Sequence, residues 1–139
     1  MSDAAARGDD DGLRVPALIA YGLYLVAPLN GATAVAGVIL AYIKRGEARG
    51  TPWEGHYRNL IRVFWISFVV LAIAFGIVIE AFGGMIFTLV TTDGNPPPEM
   101  VGSLFLFVPV LWMGGLFLTV WYYYRTVRGF IRAIEGRPY

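Results

Sequence analysis

The stretch Tyr24–Gly37, "YLVAPLNGATAVAG", lies inside an apolar run, Val15–Ile43, and places Pro28, Asn30 and Gly31 near its centre. Proline removes a backbone hydrogen bond and glycine relaxes the turn, so a kink or break is expected there. Each half of the run is then about 13–14 residues, or ~20 Å of helix, against a hydrocarbon core of ~30 Å. One broken crossing is therefore preferred to two complete ones, which puts the N-terminus outside and gives three crossings. The alternative is a short hairpin, with the N-terminus inside and four segments.

Two further apolar runs flank this decision, Val63–Val90 and Val101–Tyr124. Each exceeds the roughly 20 residues that cross a bilayer as a helix. Glu80 is the only formally charged residue in any of the three runs. The 139-residue chain is 57% hydrophobic, above the range of ordinary soluble domains. The expected fold class is an all-α integral membrane protein, one helical domain over residues 14–139 with segments 15–43, 63–90 and 101–124. The opening "MSDAAARGDDDGL" is acidic and too poor in apolar surface to offset its ordering entropy, so residues 1–13 are expected as a disordered tail. It also lacks the basic start of a signal peptide.

Basic residues are unevenly placed. Lys44, Arg45, Arg49, Arg58 and Arg62 lie between the first two runs, and Arg125, Arg128, Arg132 and Arg137 follow the third. The loop "TTDGNPPPEM" has no basic residue. Short loops rich in Lys and Arg stay cytoplasmic, so the first loop and the C-terminus are assigned inside and the proline-rich loop outside. The net charge of +1 gives no reason to expect nucleic acid as a partner.

The chain's single histidine stands in "EGHYRNLIRVFW", Glu54–Trp65, just before the second run. With Thr51 and Pro52 as cap and first turn, a helix beginning near Trp53–Glu54 puts Arg58, Arg62 and Trp65 on one face. His56 and Asn59 fall on or beside the opposite face, where they can hydrogen-bond to neighbouring protein. The arginines suit lipid phosphates at the interface. In "WYYYRTVRGFIRAIEGRPY", Trp121, Arg125, Arg128 and Arg132 likewise project to one side, while Tyr123, Val127, Phe130 and Ile134 project to the other. The third helix is thus expected to continue as a basic amphipathic extension, ended by Gly136 and Pro138. Anionic lipid headgroups and other membrane subunits are the expected partners of these faces.

These residues also carry a resemblance. "AYIKRGEARGTPWEGHYRNLIRVFW", with the ending "VRGFIRAIEGRPY", resembles small bacterial membrane proteins of the Tic-twenty-like group. His56 and Asn59 match the histidine-led second helix of that group, and Ala133, Gly136, Pro138 and Tyr139 match its ending. The resemblance implies a multi-pass protein of the bacterial inner membrane with four helices, and its chloroplast relatives are implicated in protein import. Arg58, Arg62 and the loop prolines Pro96, Pro97 and Pro98 depart from the group's pattern.

Glu80 is the most costly residue in the chain, since a carboxylate at bilayer depth tends to pair, protonate or face water. Counting ~1.5 Å per residue puts it ~27 Å from Arg62 and Asn30 ~21 Å from Lys44, so the two form a candidate intramembrane polar site. Gly76, Gly83, Gly84, Gly114 and Gly115 are expected to allow close helix approach. With zero cysteines and one histidine, neither a thiolate site nor a four-ligand zinc site is expected. There is no nucleophile–histidine–carboxylate set and no phosphate-binding glycine loop, so no enzyme and no cofactor is expected. The leading reading is an accessory or structural subunit of a larger membrane assembly. The alternative is a component of an oligomeric channel or transporter.

Overall fold

Four helices follow one another in the structure, a computed structural model that describes the backbone of residues 2–139 and the side chains of residues 12–139 apart from Leu104. They are α1 (Ser2–Val26), α2 (Ala32–Arg45), α3 (Glu54–Thr91) and α4 (Pro98–Ile134), with no strand among the described residues. Two of them, α3 with 38 residues and α4 with 37, are long and apolar enough to cross a membrane. The chain divides into two compact units: Met1–Ile66 with Trp121–Tyr139, and Ser67–Val120.

The decisive stretch resolves as a turn. The residues between Val26 and Ala32 leave the helix, and α1 and α2 fold back on one another instead of forming one kinked rod. The break expected at Pro28–Gly31 is present, and the two halves pack against each other as in the hairpin alternative. The physical reason is local satisfaction of the freed backbone groups. The N–H of Asn30 donates to the Ala27 carbonyl at 3.1 Å, and the Asn30 carbonyl accepts from the Thr33 N–H at 2.9 Å. Asn30 Oδ1 also accepts from the Ala32 N–H at 3.4 Å. Small residues then let the two helices meet: a Cβ built on Gly37 would fall 2.7 Å from the Tyr24 ring.

The first unit contains every buried residue among those described. Ala17, Ala20, Tyr21 and Tyr24 of α1 form its centre with Val38 and Ala41 of α2, Tyr57, Leu60 and Val63 of α3, and Ala133 of α4. Tyrosine hydroxyls tie these helices together through backbone carbonyls. Tyr24 donates to Leu60 at 2.9 Å, Tyr57 to Leu13 at 2.6 Å and Tyr122 to Tyr24 at 2.8 Å. For the buried phenols of Tyr24 and Tyr57, going unpaired would cost about 1–3 kcal/mol; Tyr122 is half-buried. The acidic tail expected over 1–13 falls mostly outside the described side chains. At its end, though, Leu13 is core, only 7% exposed.

The second unit has no buried residue among those described. Phe75, Phe87, Phe105, Trp112 and Phe117 are each at least two-thirds exposed. Its glycines correct another expectation: open space surrounds Gly76, Gly83, Gly84, Gly114 and Gly115. Close approach occurs instead in the first unit, at Gly37, Gly55 and Gly129.

Candidate functional site

α3 enters the first unit through a cap. Thr51 Oγ1 accepts from the Trp53 N–H at 3.3 Å, and Glu54 reaches back so that its Oε2 accepts from the Gly50 N–H at 3.0 Å. These bonds pair N–H groups of the turn that leads into the helix. They also fix the register that turns His56, Asn59, Leu60 and Val63 inward and leaves Arg58 and Arg62 exposed.

His56 is fully buried and both ring nitrogens are engaged. Nε2 lies 2.8 Å from the Arg137 carbonyl oxygen. A carbonyl can only accept, so Nε2 carries the proton. Nδ1 is then the acceptor, and the Tyr21 hydroxyl, 3.3 Å away, donates to it. The Tyr21 oxygen in turn accepts from Asn59 Nδ2 at 3.3 Å. The result is a directed chain, from Asn59 to Tyr21 to His56 to the Arg137 carbonyl, across α3, α1 and the segment after α4. His56 precedes the apolar run 63–90, and burial lowers its pKa below 6.5. The Arg137 carbonyl acts against that shift and the nearby Arg132 charge reinforces it. The neutral imidazole is therefore the form that this packing favours.

Two glycines make the chain possible. Tyr21 lies so close to Gly129 of α4 that a side chain there would run into the phenol ring and its hydroxyl. Gly136, at φ 66°, takes the left-handed conformation that ends α4. The Arg137 N–H donates to the Arg132 carbonyl at 2.9 Å and the Gly136 N–H to the Ala133 carbonyl at 3.3 Å. This reversal delivers the Arg137 carbonyl to His56 and sets Tyr139 edge-on to it, with ring centroids 5.8 Å apart and planes at 72°. At the other side of the helix end, Arg14 of α1 donates to the Ile134 carbonyl, placing a cation where the helix dipole is negative.

The remaining candidates separate clearly. Arg125, Arg128 and Arg132 share one side of α4, where they line an open groove of about 390 Å³ with Trp121, Tyr124 and Tyr139. Arg58 and Arg62 are exposed on α3. Asn30, in the first unit, is exposed and uses its polar groups to start α2. Glu80 belongs to the second unit, where it lines a groove of about 560 Å³ with Gly84 and Thr88 of α3 and Ser103 and Phe107 of α4. It makes no hydrogen bond or ion pair among the described residues. No group of three or more His, Cys, Asp or Glu gathers among the described residues to hold a metal ion.

Sequence reasoning missed Tyr21, Gly129 and the Arg137 carbonyl as partners of His56. Tyr139 was named only through the family resemblance. Their separations, 35 and 81 residues along the chain for Tyr21 and Arg137, leave no periodic signal. No protein-family model, curated protein or solved structure matches this chain.

Proposed function

We propose that this chain is a non-catalytic accessory subunit of a larger assembly in the bacterial inner membrane. The observation that carries the proposal is the second unit. From residue 67 to residue 120 no described residue is buried, yet the side chains are overwhelmingly apolar. Lipid or another apolar protein surface is the environment such helices need. A non-catalytic role is supported by His56, whose two nitrogens are already bonded to groups of its own chain and closed to a substrate.

In this reading the apolar parts of α3 and α4 cross the bilayer. The α1–α2 hairpin enters from the cytoplasmic side and returns to it, making four segments. Support comes from the beginning of the hairpin. The Leu13 carbonyl accepts from Tyr57 near the start of α3, and Arg14 bonds the end of α4. The start of α1 thus lies beside two chain regions rich in arginine, which the positive-inside rule places in the cytoplasm. The proline-rich loop lies outside.

Because the chain has no cysteine, a single introduced cysteine reports its own position without background. Cysteines at Ser2, Arg49 and Gly136 are expected to label only from the cytoplasmic face, and one at Gly94 only from outside. Labelling of Gly94 from the cytoplasm would overturn the topology. Mass spectrometry of material purified in mild detergent tests the assembly itself. Reproducible co-purification of other membrane chains is the expected result, and a preparation containing only this chain would count against a subunit role. A channel component is the second reading, supported by the Glu80-lined groove.

A further inference from the structure

The groove on α4 has properties that the helix ties and the histidine chain do not use. Arg125, Arg128 and Arg132 are spaced three and four residues apart, so their guanidinium groups share one face. Like charges at this spacing repel, and none of the three has a carboxylate partner among the described residues, where the ion pairs are Lys44–Glu47 and Arg137–Glu135. Positive charge is concentrated here with no counter-charge within ion-pair distance among the described residues.

The side chains are nonetheless held. Arg125 lies over the Trp121 ring at 5.7 Å and the Tyr139 ring at 5.9 Å, and its Nε donates to the Tyr139 hydroxyl at 3.2 Å. Arg128 lies over the Tyr124 ring at 5.9 Å, and its Nη1 donates to the Tyr124 hydroxyl at 3.0 Å. Each of these arginines keeps further N–H donors, fixed in direction by the aromatic partner. Guanidinium forks so arranged match the paired oxygens of a phosphate. The ordering entropy of both side chains is already met in the free protein, which favours binding.

We propose that this groove is a binding site for the headgroup phosphate of an anionic phospholipid. The proposal rests on the membrane reading above and narrows it to one class of ligand. A lipid is favoured over a free phosphate ion by the groove's position and walls. It begins at Trp121, within the last turn of the apolar run 101–124, and its aromatic residues are those that settle at headgroup level. Trp121 and the exposed Tyr124 give glycerol and the first acyl carbons an apolar wall beside the cations.

The test is native mass spectrometry of the full chain from nanodiscs containing equal amounts of phosphatidylglycerol and phosphatidylcholine. The wild-type chain is expected to retain phosphatidylglycerol preferentially. Arg128→Gln with Arg132→Gln is expected to reduce that retention by about five-fold or more, given the usual contribution of one basic residue near an anionic surface. Arg58→Gln with Arg62→Gln removes the same charge from the exposed face of α3 and is expected to leave most of the retention intact. Equal losses in the two pairs would overturn the site in favour of a diffuse field, and so would no loss in the groove pair. Displacement of the lipid by millimolar inorganic phosphate would overturn the lipid as occupant. If the glutamine pair loses its cooperative melting transition, Arg128→Lys with Arg132→Lys is used instead, keeping the charge and removing the fork. A clear fall in retention supports the site and undiminished retention overturns it. Resistance of the wild-type chain to extraction from membranes by alkaline carbonate tests the membrane reading separately.

Discussion

The two units are built from much the same apolar vocabulary and treat it in opposite ways. In the first, small residues bring helices close, Tyr21, His56 and Asn59 bond one another, and other tyrosines bond backbone carbonyls. Asn59 Oδ1 and Thr126 Oγ1 stay buried there without a partner among the described residues. In the second, large apolar side chains face outward, and the glycines touch nothing within 4 Å. A unit with a core of its own must find partners for most of the polar groups it buries, whereas one without a core buries few polar groups to satisfy. Sensitivity to substitution should therefore differ sharply between them.

The largest expected difference comes from adding a single methyl group in each unit. Gly129→Ala drives a Cβ into the Tyr21 phenol, an overpacking that costs up to about 3 kcal/mol. Gly114→Ala meets open space and removes a flexible residue from the middle of α4, so it should be neutral or stabilise by about 0.5–1 kcal/mol. Thermal melts of both variants in one detergent, followed by circular dichroism, make the comparison. Equal melting temperatures would mean that Tyr21 moves aside without cost, and the contrast between the units would fail at its tightest point.

A smaller effect is expected along the histidine chain. Tyr21→Phe keeps the ring but leaves His56 Nδ1 without its donor and Asn59 Nδ2 without its acceptor. The expected loss is about 1–2 kcal/mol. The same chain predicts a pH dependence. The folded pKa of His56 lies below the 6.5 of an unfolded histidine, so the unfolded state takes up the proton first. Stability is fully present above about pH 6.5 and falls as the pH drops from there toward the lowered folded value. His56→Gln, which has no titrating group, should flatten the melting temperature between about pH 6.5 and 5.5. An unchanged slope in that variant would assign the acid sensitivity to other groups.

How much of this was legible in advance follows from the range of each signal. Helical periodicity spans a few residues, so it correctly separated the inward face of His56, Leu60 and Val63 from the exposed face of Arg58 and Arg62. The end of α4 at Gly136 was equally local. The break at Pro28–Gly31 was visible too, but a kinked rod and a hairpin begin with the same residues. The outcome depends on whether the halves pack, which is decided by Gly37 meeting Tyr24 and by the Asn30 bonds. Glycine was legible as a type and misleading as a position. The expected close approaches were on the long apolar helices, and the observed ones face tyrosines, where a ring needs the room. The partners of His56 come from the beginning and the end of the chain, and no local pattern joins them.

The smallest expected effect concerns Glu80, the charged residue within the apolar run 63–90; the second unit's other acids, Asp93 and Glu99, lie in the turn after α3 and the first turn of α4. Its surroundings contain the hydroxyl groups of Thr88 and Ser103 but no cation, and it lines a groove open on the unit's surface. Thr88 Oγ1 donates to the Gly84 carbonyl and Ser103 Oγ to the Met100 carbonyl, so both hydroxyl protons are already directed to their own helices. Among the described residues the carboxylate has neither an ion-pair partner nor a hydrogen-bond donor. Glu80→Gln keeps the shape and removes the charge, so the isolated protein should change its melting temperature by no more than about 3 °C. The same substitution in the native membrane asks a different question. If another chain places a cation in this groove, co-purification or native activity will fall while the melt of the isolated protein stays put. If both stay unchanged, the carboxylate carries no role in the assembly, and the groove it lines is not where a partner's cation binds.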